Sequence, residues 1–174
     1  ARMQTLIDDL LSFSRVTTKA RPFTTVDLTK IAEGVISDLE IRLEQTNGHV
    51  VLKSLPTIEA DRIQMRQLLQ NLIANGLKFH RPDTPPIVTI TGELFVNDGK
   101  QTICQLTITD NGIGFDEKYN DRIFGIFQRL HNRSSYEGTG IGLAICRKIA
   151  ERHQGTITAR SKDCLLYTSP SPRD

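Results

Sequence analysis

Asn71, Asn75 and Lys78 are spaced four and three residues apart, which places them on one face of a helix. A side-chain amide oxygen can ligate Mg²⁺ without adding charge. Mg²⁺ keeps several of its waters and often takes only one or two protein ligands beside phosphate oxygens. Lys78 adds a compact positive charge suited to a phosphate. Two asparagines and a lysine are also what the solvent face of an ordinary helix carries, so this cluster alone decides nothing.

Two glycine-bearing clusters follow. Asp110-Asn111-Gly112-Ile113-Gly114 breaks an apolar alternating run. A carboxylate at a strand end can accept a hydrogen bond from an exocyclic amine such as that of adenine, while Gly112 and Gly114 let the backbone turn and approach a flat ligand. The competing reading is a plain turn, with Asn111 a turn residue. Gly138, Gly140 and Gly142 precede a helical pattern, so free backbone N–H groups and a positive helix end face any phosphate there. Thr139 offers a hydroxyl donor. No Gly-Lys-Ser/Thr follows and GxGxxG is not met, so neither common phosphate-loop motif applies; a structural glycine turn is the alternative.

The elements that must carry these groups are legible in outline. Residues 1–16 recur at helical spacing through Met3, Leu6, Ile7, Leu10 and Leu11, the pattern of an amphipathic helix. A linker runs to Pro22. Asp27 is an N-cap candidate for a helix with the stripe Leu28, Ile31, Val35, Leu39 and Leu43, stopped by Asn47-Gly48. Short strands are expected over 49–53 and 57–60. Asp61 caps a third helix to about Phe79, with Ile63, Leu68, Leu69, Leu72 and Ile73 apolar. Strands over 87–95 and 103–109 flank the turn Asn97-Asp98-Gly99. A polar stretch, 116–136, precedes a helix over 143–153 that stops at Gly155, and a strand follows over 156–160. This order predicts an α/β (α+β) two-layer sandwich, a mixed sheet covered on one face by helices.

Composition narrows the class. In 174 residues, 38% are hydrophobic and 24% charged, with net charge +2, a globular balance that implies no broad nucleic-acid face. No apolar run reaches the roughly 20 residues of a membrane span. Cys104, Cys146 and Cys164 form no CxxC pair, so neither disulfide framework nor zinc site is expected. Cys104 and Cys146 read as small buried hydrophobes, and a cytoplasmic setting fits.

Taken in order, the three clusters resemble the ATP-binding fold shared by histidine kinases, type II topoisomerases, heat-shock chaperones and mismatch-repair ATPases. NLIANGLKF is similar to the kinase N box, DNGIGF to the first glycine box, IFGIFQRLH to the F box and GTGIGLAI to the second glycine box. The last two point to sensor histidine kinases, and FQRLHNRSSYEGTGIGLAICRKIAERH is similar to the phytochrome- and PAS-associated kind. The resemblance covers about residues 3–163 and implies a Bergerat-type domain that binds Mg·ATP. On it, Asn75 with Asn71 holds Mg²⁺, Lys78 contacts phosphate and Phe79 packs near adenine. Asp110 takes the adenine amine, Gly112 and Gly114 shape the pocket, and Phe124 and Phe127 hold the base of a lid. Arg129 reaches phosphate from that lid, and Gly138, Thr139, Gly140 and Gly142 line the triphosphate. Gly125 and Ile126 stand where the F box commonly has Glu and Pro, and Gln154 replaces a common glycine.

The same resemblance divides the chain into 1–22, the end of a dimerisation and phosphotransfer hairpin helix with its linker, and 23–163, the catalytic domain. The phosphoacceptor histidine is expected on a missing N-terminal segment. None of His49, His80, His131 and His153 has H-box surroundings; His80 reads as an exposed helix end, His131 falls in the lid, and His49 and His153 read as cap or surface residues. Implied partners are ATP, a response regulator receiver domain and a second copy through the hairpin, with no nucleic acid; the parent's membrane status is open. The fragment is expected to bind Mg·ATP without phosphorylating itself. The alternatives are a nucleotide-binding regulatory scaffold and a clamp-type ATPase.

Residues 164–174, CLLYTSPSPRD, show no periodicity and resemble a translated transposase-type sequencing adapter, since TGT CTC TTA TAC ACA TCT encodes residues 164–169. The native domain is then expected to stop near Asp163, without its final strand, leaving an open sheet edge and a marginal, aggregation-prone protein.

Overall fold

Asp27 sits in extended backbone and its Oδ1 accepts the Thr29 N–H at 3.0 Å, the capping role its position predicts. In the computed structural model, which describes residues 2–18, 21–78, 82–112, 142–159 and 163–168, helix α2 (Leu28–Asp38) follows that cap. It is preceded by α1 (Arg2–Thr18) and β1 (Thr24–Asp27). The single helix expected from 28 to 47 is instead two. Leu39 leaves helical geometry at φ −96°, ψ 11°, and α3 (Glu40–Thr46) restarts after it. The apolar stripe runs through this break, so periodicity could not reveal it. Asn47 then takes the left-handed conformation and the Gly48 N–H closes on Leu43 O.

Strands β2 (His49–Leu52) and β3 (Thr57–Ala60) fall where expected. β1 was not foreseen: it pairs antiparallel with β3 in a two-stranded sheet, and four residues give too little pattern to announce a pairing over thirty positions away. Asp61 caps α4 (Arg62–Lys78), its Oδ1 accepting the Gln64 N–H at 3.1 Å. β4 (Ile87–Val96) and β5 (Thr102–Asp110) form a long hairpin. Asn97 holds its turn, with Oδ1 accepting the Gln101 N–H at 2.9 Å, while Lys100 takes φ 63°.

α5 (Gly142–Arg152), β6 (Thr156–Ala159) and β7 (Asp163–Thr168) complete the described elements. The main sheet has the order β2-β4-β5-β7-β6, parallel only between β2 and β4. Helices α2, α4 and α5 pack on it, and α1 packs on α5. The core joins Leu68, Leu69, Leu72, Ile73 and Leu77 of α4 to Ile145 and Ile149 of α5 and to the alternating Val88, Ile90, Leu106 and Ile108 of the hairpin. Alternation on the strands and a buried stripe along one face of α4 are what a one-sided sheet and a helix packed on it require. Of the apolar positions read along this helix, Ile63 is 49% exposed.

The sheet is not left open beside β5, because β7 pairs antiparallel with β5 over Asp163–Thr168 and with β6 over 164–167. Apart from Asp163, that strand is made from residues of the segment that resembles a translated adapter. Ladder hydrogen bonds come from the backbone, so any strand-competent segment can fill such a place, and Cys-Leu-Leu-Tyr-Thr is β-prone.

Candidate functional site

Helix α4 sets the first part of the site. Asn71, Asn75 and Lys78 are each half-buried along it, and the 1.5 Å rise per residue separates the two asparagine Cα atoms by about 6 Å along the axis. The Asn71 amide donates from Nδ2 to the Gly142 carbonyl at 3.3 Å. Its Oδ1 takes no part in that bond. A Cβ on Gly142 would stand 3.9 Å from Asn71 Cγ, so the first turn of α5 lies directly against the asparagine face. Asn75 makes no hydrogen bond among the described residues, which leaves a half-buried amide suited to an external ligand.

The second part is the end of β5. Gly76, next to Asn75, meets this strand end so closely that an added Cβ would be 2.7 Å from Val88 Cγ2 and 3.4 Å from Asp110 Cβ. Val88 and Asp110 are cross-strand partners, so the bare face of α4 rests on that pair. Asp110 is half-buried and its Oδ1 accepts the Gly112 N–H at 2.7 Å. Asn111 does more than turn the chain. Its Oδ1 accepts the Ile87 N–H at 2.8 Å and its Nδ2 donates to Pro85 O at 3.1 Å, fixing the start of β4 beside Asp110.

The third part is the N-terminus of α5, whose eleven-residue helix directs its positive end toward Asn71. α5 is locked to α4 by its buried face, and the Cys146 thiol lies 3.9 Å from Leu68 O. The structure therefore sets Asn71 against Gly142, and Gly76, the neighbour of Asn75, against Asp110, which holds Gly112. Phe79, Gly114, Phe124, Phe127, Arg129, Gly138, Thr139 and Gly140 lie outside the described residues, as do His80 and His131.

Away from this site, two readings of single residues separate. Cys104 and Cys146 are buried as expected, and burial pushes the Cys104 thiol up to about 12. His49 is exposed as expected. His153 stands at the cap position just after α5 but not on the surface: it is 1% exposed, and burial lowers its pKa, with the Ile149 backbone contact opposing. Its Nε2 accepts the Asp61 N–H at 3.1 Å, which leaves Nδ1 to donate to Ile149 O at 2.8 Å. The signal was present in the spacing Ile145, Ile149, His153, which continues the buried stripe of α5.

Comparison with known proteins places these features. The family model described as histidine kinase-, DNA gyrase B- and HSP90-like ATPase matches residues 60–169. The phytochrome-like protein Cph1 of Synechocystis sp. is 43% identical over 159 residues, covering 91% of this chain and 20% of that protein. The chain thus spans about a fifth of the length of that relative. Full-length ShkA, solved in complex with AMPPNP, superimposes with a TM-score of 0.74 at 23% identity, covering 97% of this chain and 35% of that one. Histidine kinase ThkA, solved in complex with response regulator protein TrrA, gives a TM-score of 0.72 at 22% identity, covering 99% of this chain and 48% of that one.

Proposed function

The chain belongs to the histidine kinase-, DNA gyrase B- and HSP90-like ATPase family, with an ATP-binding domain of the sensor histidine kinase kind, and we propose that it binds Mg·ATP for transfer of the γ-phosphoryl group to a histidine outside this chain. The observation that carries the reading is the packing of Asn71 on Gly142 and of Gly76 on Asp110. Both contacts are made by α4, the helix that bears the amide face, which supports a shared site for the carboxylate and the α5 N-terminus.

The donor set fits the group it would hold. Asn75, with a half-buried amide, and Asn71 Oδ1 are neutral oxygen donors of the kind Mg²⁺ accepts alongside phosphate oxygens. When bound, Mg²⁺ supplies neutralisation of triphosphate charge. Asp110 accepts the adenine amine, and its bond from Gly112 N–H orients the carboxylate for that task. Lys78 meets phosphate, and the α5 N-terminus at Gly142 offers backbone N–H groups to the same anion. Phe79, Gly114, Phe124, Phe127, Arg129, Gly138, Thr139 and Gly140 complete the pocket and its lid on the resemblance alone.

In the transfer, an imidazole nitrogen forms a bond to the γ-phosphorus as the bond to the β,γ-bridging oxygen breaks, and ADP leaves. Positioning and charge neutralisation supply the catalysis. The phosphohistidine then serves a response regulator, as the ThkA–TrrA complex suggests for that kinase. Among the described residues no helix is long and apolar enough to cross a membrane.

The test is incubation of the chain with Mg·ATP labelled in the γ-phosphate. The proposal expects bound nucleotide, no base-stable and acid-labile label on the chain, and no sustained hydrolysis. Label on the chain would overturn the external acceptor. Steady hydrolysis without phosphoprotein would favour a clamp-type ATPase, and absence of nucleotide binding would overturn the reading.

A further inference from the structure

Asn111 follows the last residue of β5 and stands opposite Ile87, continuing the register in which Val88 faces Asp110. Its backbone and side chain both grip the segment 85–87. The Asn111 N–H donates to Ile87 O at 3.3 Å, its Oδ1 accepts the Ile87 N–H at 2.8 Å, and its Nδ2 donates to Pro85 O at 3.1 Å. A residue that only turned the chain would need neither side-chain bond.

The segment it grips is stiff. Pro85 and Pro86 have a fixed φ and no N–H, so their carbonyls are what the backbone offers there. Pro85 O takes the Asn111 amide, and Pro86 O takes the His49 N–H at 3.0 Å. Pro86 is buried, and a Cβ on Gly48 would stand 3.0 Å from Pro86 Cγ and 3.2 Å from Leu77 Cδ2. Asn111 is therefore fastened to the body of the fold through the start of β2.

The same residue is the centre of a turn that closes on Asp110. The Gly112 N–H donates to Asp110 Oδ1 at 2.7 Å, a side-chain-to-backbone turn spanning two residues. How Asn111 is held decides where that N–H points, and the N–H decides where the carboxylate oxygen rests. On its other side Asp110 meets α4, where a Cβ on Gly76 would come within 3.4 Å of Asp110 Cβ.

We propose that Asn111 is a positioning residue that sets the base selectivity of the site. By pinning the Asp110–Gly112 turn to residues 85–87, it holds the Asp110 carboxylate where it accepts from an exocyclic purine amine and rejects an exocyclic purine carbonyl. The proposal rests on the nucleotide reading, in which Asp110 meets the adenine amine. Hypoxanthine carries a carbonyl oxygen in place of that amine, so two acceptors face each other. A held carboxylate cannot avoid this, whereas a loosened one relieves it by rotating.

Calorimetric titration of the full chain with Mg·ATP and with Mg·inosine triphosphate reads the selectivity. The unaltered chain is expected to prefer ATP by about tenfold or more. Asn111→Ala is expected to weaken ATP binding about five- to tenfold and to change inosine triphosphate binding less than about twofold. Asn111→Thr keeps a strand-compatible side chain too short to span both partners and is expected to act the same way. An ATP preference retained in a folded variant overturns the positioning role and leaves the nucleotide reading standing. An equal loss for both nucleotides does the same, as does failure of both variants to fold, since each makes Asn111 a general support of the sheet. An unaltered chain that binds neither nucleotide, or both alike, overturns the reading on which this one rests.

Discussion

Gly76 of α4 stands bare-faced against Asp110 of β5, near enough that a Cβ would approach Asp110 Cβ to 3.4 Å and Val88 Cγ2 to 2.7 Å. The helix bearing the asparagine face and the strand bearing the carboxylate meet at this contact. Gly76→Val should therefore push α4 away from the strand end. Overpacking of this type costs about 1–3 kcal/mol, and Mg·ATP affinity should fall with stability. Urea unfolding and calorimetric titration of the variant check this; wild-type values for both would remove the contact from the account.

His153 carries a pH dependence with a defined sign. Burial lowers its pKa in the folded chain, so the unfolded chain takes up the proton first as pH falls. The contribution is complete above the unfolded value near 6.5 and is lost as pH drops below it, by at most about 1.4 kcal/mol per pH unit. Unfolding midpoints at pH 7.5 and 5.5 should show the loss. The His153→Phe protein should have a flatter slope, and an unchanged slope would contradict the assignment.

Gln154 occupies φ 61°, the left-handed position just beyond α5, while the Gly155 N–H bonds to Ala150 O at 2.8 Å. A side chain there is strained, whereas glycine is not. Gln154→Gly is expected to raise stability by about 0.5–1 kcal/mol after the added freedom of the unfolded chain is counted. Chemical denaturation measures it, and a loss of stability would show that Gln154 is held by something other than its backbone.

Much of this fold was legible because its signals are local. Asp27 and Asp61 announce helix starts through short-range side-chain caps, and Asn97 announces a turn between two alternating runs. The misses are non-local. β1 exists through its pairing with β3, and Leu39 breaks a helix whose apolar stripe does not change. His153 is buried because Asp61 and Phe23 meet it from distant stretches. Within the site, Asn71, Asn75 and Asp110 were readable as residue types at telling spacings. The packing glycine between them, Gly76, was not, since an isolated helical glycine gives no hint of what it faces.

β7 supplies the sharpest conflict with the sequence. Removing residues 164–174 takes away the strand between β5 and β6, leaving β6 without a sheet neighbour. The shortened chain should lose cooperative melting or fall by more than about 10 °C in Tm. A midpoint within about 2 °C of the full chain would mean that the segment contributes no strand in solution.

The central claim is that Asp110 and the asparagine face of α4 bind one adenine nucleotide. Isothermal titration of Mg·ATP into the full chain and into the Asp110→Asn protein tests it most directly. The account predicts one-to-one binding by the former and at least about tenfold weaker binding by the latter, with matching circular dichroism. Equal affinities, or no binding by the unaltered chain, would contradict it.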